Sequence, residues 1–334
     1  MQTHPLQPTA PLTFTLPRPS SRINWSRGVV VTLTLLAIFV PLTLIFYQSV
    51  LSAPFFSPAR ELSLEPYRFI FDDPDFRQAF VNGFMLACGL AIIAVPLGGM
   101  LAFLMVRTDL PGRNWIAPLL LVPIFVSPMV VAFGYVVSMG PVGFYTVWVK
   151  QLIGVQPWNV YAFPSIIVIA GLTHVPHVYL YASAALKSLG SDVEEAARVA
   201  GASPLQVALN VSLPMIMPAL AYSGVLVFFL GFEVFGLVLV LGDPEGHLVL
   251  ATYLYKLTNK LGTPSYHLMA AVAVCLVAVT MPLVMIQRWL LKSANKYVSI
   301  KGKGARQKAL PLGKWKWLAF ALIAGWLILA MSQV

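Results

Sequence analysis

Charged side chains are scarce in this sequence of 334 residues, since Asp, Glu, Lys and Arg together make up 10%. Soluble domains carry about 25% charged residues and about 45–50% apolar ones. Here 58% of the residues are hydrophobic, and the mean hydropathy is +0.80. This balance excludes a soluble globular enzyme, a disordered chain and a fibre. The apolar runs are continuous rather than alternating, which argues against a β-barrel and predicts an all-α, polytopic membrane protein.

Cysteine and the common nucleotide and hydrolase motifs are rare or absent. Cys88 and Cys275 lie inside apolar runs, so no disulfide framework is indicated. A phosphate-binding Gly-x-x-x-x-Gly-Lys-Ser/Thr motif is missing, because Gly302-Lys303 is followed by Gly and Gly313-Lys314 by Trp. Neither His-Glu-x-x-His nor Gly-x-Ser-x-Gly occurs. The sequence therefore predicts no nucleotide site, no catalytic residue, no metal site and no cofactor in this chain.

Seven apolar stretches qualify, in whole or part, as membrane spans, each of which needs about 20 mostly apolar residues. They cover residues 29–50, 80–106, 115–139, 161–183, 215–241, 267–291 and 315–332. The last of them is barely long enough to cross a bilayer.

Basic residues are unevenly divided among the loops, and most of the 22 fall on one side of the predicted spans. Arg18, Arg22 and Arg27 precede the first span, and a dense run from Arg288 to Lys316 follows the sixth. The positive-inside rule places this side, and with it the N-terminus, in the cytoplasm. The net charge of +10 is then a topology signal that favours anionic lipid. No nucleic-acid partner is expected, because the basic residues are scattered over separate loops.

Two polar segments flank the first six spans. Residues 1–28 contain repeated prolines and little that could pack, which predicts a disordered cytoplasmic tail. They do not form a cleavable signal peptide, because the apolar run that follows is too long. Residues 292–314 form a basic cytoplasmic linker that leads into the seventh span, 315–334.

The loop between the fourth and fifth spans, residues 187–214, has a helix–turn–helix pattern. Glu194 and Glu195 lie in the favourable first turn of a helix, and Gly201 supplies a stop. Ser203-Pro204 then opens a second helix with proline at its first position. The loop is too polar to be buried in lipid, so we expect it on the cytoplasmic face.

A spaced motif runs through this loop. Glu195-Ala196-Ala197 is followed after three residues by Gly201, and after nine more by Val211-Ser212-Leu213-Pro214. The segment resembles the EAA loop of ABC importer permeases, whose motif is Glu-Ala-Ala, three residues, Gly, nine residues, Ile, one residue and Leu-Pro. Only the Ile is changed, to Val211. Residues 187–214 are called the EAA loop below.

The resemblance implies a coupling helix that docks into a groove on a cytoplasmic ABC ATPase dimer. The residues it assigns to this contact are Glu195, Ala196, Ala197, Gly201, Leu213 and Pro214. It also implies a periplasmic solute-binding protein, a second permease unit, a place in the bacterial inner membrane and ATP hydrolysis in the partner subunit. The implied architecture is a six-helix permease core in residues 29–291 plus the seventh, C-terminal span.

Further segments resemble one branch of these permeases. Residues 107–113 look like the loop that enters the core in the ferric-iron, thiamine and polyamine group. Residues 123–128 and 134–143 are most similar to the ferric-iron branch. Ferric iron is therefore the expected solute. Thiamine, polyamine, phosphonate and sulfate importers share the architecture, so these solutes stay open as alternatives.

One departure from that branch concerns the number of units. Ferric-iron permeases of this kind commonly fuse two permease units in one chain, each with its own EAA loop, whereas this sequence has one. The chain looks like the first half of a fused permease plus the first span of the second half. The alternative is a seven-span permease that pairs with another copy.

Three polar side chains within the predicted spans are candidates for the translocation path. Glu233 lies in the fifth span, where a charge costs at least about 2.5 kcal/mol and marks a functional site by default. Its alternative role is structural, as a protonated or locally paired acid that holds helices together. His174 and His177 share a face of the fourth span at helical spacing. Two histidines are too few for a tight metal site, and ferric iron prefers oxygen ligands, so polar packing or path lining is expected.

Two other function classes compete with a permease. An intramembrane enzyme needs paired carboxylates or a His and Glu constellation at membrane depth, which the lone Glu233 does not provide. An ion-coupled secondary transporter needs more intramembrane acids and has no need of an EAA loop.

Overall fold

The structure is a computed structural model that describes residues 25–188, 192–259, 265–294 and 312–331. Within those ranges the regular elements are helices, apart from one isolated antiparallel bridge between Leu51 and Leu62. The helices are α1 Trp25–Ser49, α2 Glu65–Asp72, α3 Pro74–Arg107, α4 Arg113–Leu119, α5 Val122–Phe125, α6 Pro128–Met139, α7 Phe144–Ile153, α8 Phe163–Ser188, α9 Asp192–Val199, α10 Pro204–Val207, α11 Leu213–Glu233, α12 Gly236–Leu241, α13 Leu250–Asn259, α14 Tyr266–Ala294 and α15 Trp315–Met331. A π-helical turn, Ala208–Ser212, joins α10 to α11, and a 3₁₀ turn, Asp243–Glu245, follows α12.

Six helical segments in the described residues are long and apolar enough to cross a bilayer. They are Trp25–Ser49, Pro74–Arg107, Pro128–Ile153, Phe163–Ser188, Ala208–Glu233 and Tyr266–Ile286. They follow the order of the first six predicted spans, which confirms the all-α, polytopic fold. Helix α15 has 17 residues and corresponds to the predicted seventh span.

The third and fifth spans have different bounds from those that hydropathy predicts. The third, predicted at 115–139, begins with the short helices α4 and α5, and its membrane-length part is Pro128–Ile153. Pro123 is the second residue of α5 and Pro128 the first residue of α6, in the first turn of a helix, where the missing N–H of proline is tolerated. The fifth, predicted at 215–241, stops as a helix at Glu233 and resumes as α12.

The core of the molecule is the packing of α3 against α8 and α11. Glycines allow α3 and α8 to approach closely. A Cβ atom at Gly98 of α3 would lie 2.6 Å from the Cβ of Val178 and 2.9 Å from the carbonyl oxygen of Val175. A Cβ at Gly171 of α8 would lie 2.7 Å from the Cβ of Ile93. Small residues at such contacts are typical of packed membrane helices.

Polar contacts join the loops at the N-terminal end of α3. The Tyr253 hydroxyl donates to Oδ2 of Asp73 at 2.6 Å, and Lys256 pairs with Asp75. Burial, together with the bond to Asp73, raises the pKa of the Tyr253 hydroxyl. These contacts tie α13 to the start of α3. With 34 residues, α3 is about 50 Å long, so its C-terminus at Arg107 lies at the opposite end of the bundle.

Helix α15 packs on the same core. The backbone N–H of Leu312 donates to Oδ1 of Asp109 at 2.9 Å, which fixes the approach to α15 beside the C-terminal end of α3. The Tyr135 hydroxyl of α6 donates to the carbonyl oxygen of Leu329 at 2.9 Å. Ile323 and Trp326 are buried in the core cluster. The structure therefore attaches α15 to the core at both of its ends.

The chain divides into two units at residue 44. The described part of the first unit is the apolar stretch of α1 from Trp25 to Leu44, whose residues are all exposed. The second unit begins at Ile45 and contains α2 to α15. In it the Gln48 side chain accepts from the backbone N–H of Phe55 at 2.8 Å and donates to the carbonyl oxygen of Ala53 at 3.1 Å. The predicted tail, apart from residues 25–28, and most of the predicted linker lie outside the described residues.

Candidate functional site

The first helix of the EAA loop, α9, ends in a Schellman motif built on Gly201. Gly201 has φ +89°, in the left-handed region that favours glycine. Its N–H donates to the carbonyl of Arg198 at 3.0 Å, and the N–H of Ala202 donates to the carbonyl of Ala197 at 3.0 Å. This pair of bonds defines the motif. The stop predicted at Gly201 is confirmed.

The second helix of the EAA loop starts with a capping box. The Ser203 hydroxyl accepts from the N–H of Gln206 at 3.3 Å, and the Gln206 side chain accepts from the N–H of Ser203 at 2.8 Å. The Ser and Gln spacing is that of a helix start. Helix α10 then continues through the π-helical turn into α11, at whose start Leu213 and Pro214 lie. The fifth span is therefore covalently continuous with the loop.

Helix α9 has two chemically different faces. Glu195 and Ala196 are exposed, Ala197 is half-buried, and Val199 is 90% exposed. Val199 and Ala196, three residues apart on the helix, leave apolar surface open to a partner. The adjacent Glu194 points the other way and is buried. Sequence reasoning identified the exposed motif residues but missed Val199, which the motif spacing does not mark.

Glu194 belongs to a buried polar cluster that also escaped the sequence analysis. Its Oε1 lies 3.1 Å from Nε of Arg107 at the end of α3, and the Ser212 hydroxyl donates to the same oxygen at 2.7 Å. The side chains of Arg107 and Glu194 are 3% and 4% exposed. The Nε of Arg198 donates to the backbone carbonyl of Glu194 at 3.4 Å. The one feature of the sequence that could have indicated this cluster is the pair of adjacent acids at the start of α9, Glu194 and Glu195, which lie on different faces of the helix.

A cavity of about 420 Å³ lies where the fifth span is interrupted. Its lining includes Ser127, Thr173, His174, Glu233, Phe235 and Gly236. Glu233 is the last residue of α11, so it sits at a helix break rather than in the middle of a span, and its side chain is exposed to the cavity. Such a volume suits a small solute. Helix breaks at membrane depth are tolerated where they line a cavity.

The two histidines predicted for the path occupy neighbouring turns of α8. Their rings stack with centroids 5.4 Å apart and an interplanar angle of 24°. His174 lines the cavity and its Nδ1 lies 2.7 Å from the carbonyl oxygen of Ala170, whereas His177 is not part of the cavity lining. The structure therefore brings His174 and Glu233 together at the cavity, whereas His177 stacks on His174 outside the cavity lining. In the described ranges no three His, Cys, Asp or Glu residues are grouped to hold a metal.

Comparison with known proteins identifies the family. The model of the binding-protein-dependent transport system inner membrane component matches residues 94–296, a segment that contains the whole EAA loop and the cavity. This chain belongs to that family. The resemblance to ABC importer permeases, first indicated by the EAA loop, is confirmed. The permease is accordingly a multi-pass inner-membrane transport protein, not a catalytic enzyme.

Curated relatives of the permease differ in the solutes their names state. It is 29% identical to the sulfate transport system permease protein CysW of Escherichia coli K12, over 82% of this chain and 92% of the relative. It is 24% identical to the E. coli molybdenum transport system permease protein ModB, over 68% of this chain and 98% of that one. The ferric transport system permease protein FbpB of Actinobacillus pleuropneumoniae is 26% identical over 74% of this chain, which spans 36% of FbpB.

Solved structures support the fold of the permease. The match to a chain of the bacterial alginate ABC transporter, solved with an alginate-bound periplasmic protein, has a TM-score of 0.66 at 19% identity. It covers 83% of this chain and 96% of that chain. The two chains therefore share one fold over most of their length.

Proposed function

We propose that this permease forms the solute path of an ABC importer and couples it to a separate cytoplasmic ATPase dimer through the EAA loop. The observation that carries the proposal is the two-faced helix α9. One face is exposed and apolar at Val199 and Ala196, and the other is anchored by Glu194 to the spans. A surface of this kind suits docking on a partner whose movement must reach the membrane.

The proposed docking contact uses the residues that the EAA motif assigns. Ala196 and Ala197 let α9 lie close to a partner surface, and the exposed Glu195 offers a charge that fixes the register of the contact. Gly201 ends α9 and turns the chain toward the fifth span. Leu213 and Pro214, at the start of α11, carry the movement into that span. The N-terminus and the EAA loop then face the cytoplasm.

The solute path of this proposal runs past the cavity at the break of the fifth span. Glu233 and His174 present polar atoms to it, and His177 supports His174 by stacking. A periplasmic binding protein delivers the solute to the opposite end of the bundle. A second permease unit, either the other half of a fused chain or another copy, completes the path.

Ferric iron is the solute we propose. The carboxylate of Glu233 supplies oxygen atoms, which suit hard cations and repel oxyanions. The name of the FbpB relatives states ferric transport. The names of CysW and ModB state sulfate and molybdenum, so sulfate and molybdate are the second candidates. Thiamine, polyamine and phosphonate stay open from the sequence.

The docking surface can be tested with two matched valines. Val199 in the EAA loop and Val142 in the loop between α6 and α7 are both 90% exposed. Val142 lies three residues after Met139, whose carbonyl accepts from Trp158. Trp158 precedes the start of α8, whereas the EAA loop follows the end of this helix, which is about 39 Å long. We expect Val199→Asp to lose the co-purifying ATPase and ATP-driven uptake, and Val142→Asp to retain the ATPase. Full ATPase retention in Val199→Asp would contradict the proposal.

The transported solute can be identified by measuring uptake into proteoliposomes that contain the whole complex. Radiolabelled ferric iron, sulfate and molybdate are assayed in parallel, each with ATP and with a non-hydrolysable analogue inside. We expect ATP-dependent uptake of iron alone. Uptake of sulfate or molybdate would overturn the iron assignment and leave the permease role intact.

A further inference from the structure

The cluster of Arg107, Glu194 and Ser212 links three separate elements through one carboxylate oxygen. Oε1 of Glu194 accepts from the Ser212 hydroxyl at 2.7 Å and lies 3.1 Å from Nε of Arg107. Glu194 belongs to α9, Arg107 is the last residue of α3, and Ser212 is the last residue of the π-helical turn before α11. One atom of α9 therefore contacts both the end of the second span and the start of the fifth.

Stability alone does not account for charges in this place. A buried ion pair is often no more stabilising than well-packed apolar side chains of similar volume, because both charges lose their water. What the ion pair adds is a defined geometry, because a guanidinium and a carboxylate form hydrogen bonds in only a few relative orientations. The Ser212 hydroxyl restricts the same oxygen further. The three side chains are therefore held in one arrangement.

The position of the cluster on α9 is opposite to the exposed surface. Val199 and Glu195 face outward, whereas Glu194 faces α3 and the start of α11. Backbone hydrogen bonds within α9 and its Schellman end keep the two faces in a fixed relation. A force applied to the outer face therefore passes through α9 to the buried carboxylate.

We propose that Arg107, Glu194 and Ser212 are positioning residues that transmit the movement of helix α9 to the second and fifth spans. This inference rests on the proposed function, because it presupposes an ATPase that moves α9. Arg107 and Glu194 act as one unit, and loss of either uncouples ATP hydrolysis from reorientation of the spans. The ATPase stays bound, since the outer face of α9 is untouched.

The test uses the complete complex with its co-purifying ATPase and a readout that needs no solute. Thr173 lines the cavity, so Thr173→Cys, in a chain whose Cys88 and Cys275 are replaced by alanine, reports the opening of the cavity. The labelling rate with a membrane-impermeant maleimide is measured without nucleotide and after trapping with ATP and vanadate. Thermal stability, ATPase retention and ATP hydrolysis are measured on the same preparations.

We expect the nucleotide-dependent change in labelling to fall at least fivefold in Arg107→Gln and in Glu194→Gln, with the ATPase retained. The double variant should be no worse than either single one, because the two residues form a unit. Arg107→Lys, which keeps the charge, should recover part of the change. Arg113→Gln is the matched control, since Arg113 is an exposed basic residue close to Arg107 and should behave as wild type.

Two results would overturn the inference. One is a wild-type labelling change in both single variants. The other is a double variant whose loss is the product of the single losses, which would show independent roles. If Glu194→Gln does not assemble, Ser212→Ala decides, because it removes one hydrogen bond to Oε1 of Glu194 and keeps the charges paired. A wild-type labelling change in Ser212→Ala would then contradict the role proposed for the cluster. Failure of the unmodified complex to respond to ATP would instead contradict the proposed function.

Discussion

Gly201 occupies a backbone conformation that other residues reach only with strain. Its φ of +89° closes the Schellman motif of α9, and open space surrounds the position of a Cβ atom. A side chain there causes no clash, so any effect of substitution comes from the backbone. The strain is about 1–2 kcal/mol, which either distorts the turn or loosens the end of α9.

The first prediction concerns Gly201→Val in the EAA loop. We expect normal membrane insertion, because no membrane-spanning helix is touched, and loss of transport, with the ATPase either released or hydrolysing ATP without moving solute. Pull-down of the ATPase and solute uptake are measured on the same preparation. Gly154→Val is the matched control, since Gly154 also has positive φ, +79°, and open space around its Cβ position.

The two glycine variants carry the same kind of backbone strain at two sites. Gly154 ends α7, at a distance from the EAA loop. Equal loss of uptake in both variants would mean that general destabilisation, not coupling, explains Gly201→Val. Wild-type uptake and ATPase retention in Gly201→Val would remove the main support for the role of the loop.

The second prediction concerns the charge at the helix break. We expect Glu233→Gln to keep assembly intact and to slow solute transport, because the amide keeps the size of the side chain and removes its charge from the cavity. Uptake and ATP hydrolysis of the purified complex are compared with those of Glu61→Gln, an exposed acid outside the cavity. Unchanged uptake with a lower melting temperature would favour a structural role for Glu233.

Residues in a spaced motif could be predicted from the sequence, and residues paired across the fold could not. Gly201 and Glu195 stand at fixed intervals in one loop, so their helix stop and exposed position were accessible from spacing alone. Glu194 is buried because Arg107, from a distant part of the chain, pairs with it. Only the packing of α3 beside the EAA loop shows this relation.

Packing of helices α3 and α8 determines the arrangement of the core. Gly98 lies where the backbone of α8 comes closest, and the carbonyl oxygen of Val175 leaves no room for a side chain. Without water to drive helix association, close van der Waals contact is what holds membrane helices together. A larger residue at Gly98 therefore separates the helices rather than filling a gap.

The third prediction is that Gly98→Val destabilises the permease by about 1–3 kcal/mol through overpacking. The measurement is the thermal unfolding of the detergent-solubilised protein, with the yield of assembled complex as a second readout. Gly325→Val in α15 is the matched control, because a Cβ atom there meets nothing within 4 Å. Equal melting temperatures for Gly98→Val and wild type would contradict the close approach of α3 and α8.

The long helices could be predicted from the sequence, whereas the breaks within them could not. Apolar runs of about 20 residues mark the spans because the bilayer requires them. The break after Glu233 falls inside an equally apolar run, where Val234 turns extended and α12 packs on α6. Hydropathy cannot detect such a break, so the cavity that it creates also went unpredicted.

Both ends of the whole molecule are marked by polar contacts between loops distant in sequence. At one end Arg107 meets the EAA loop and Asp109 binds the backbone of Leu312. At the other end Asn159 donates to Glu245 at 2.9 Å, and Tyr253 binds Asp73. Within the second unit, the EAA loop and the approach to α15 thus both contact the C-terminal end of α3, whereas α13 contacts its start.

The last prediction concerns the topology of the whole chain. We expect a reporter fused at residues 300–310 to report the cytoplasm and one fused at residue 334 to report the periplasm, because α15 begins beside the C-terminal end of α3 and continues to Leu329 against α6. Its 17 residues extend about 26 Å, slightly less than the hydrocarbon core of a bilayer. Fusions at residues 110 and 245 serve as controls for the two sides. A cytoplasmic signal at residue 334 would mean that α15 does not cross the membrane, and the six-span core would then stand without a seventh span in these residues.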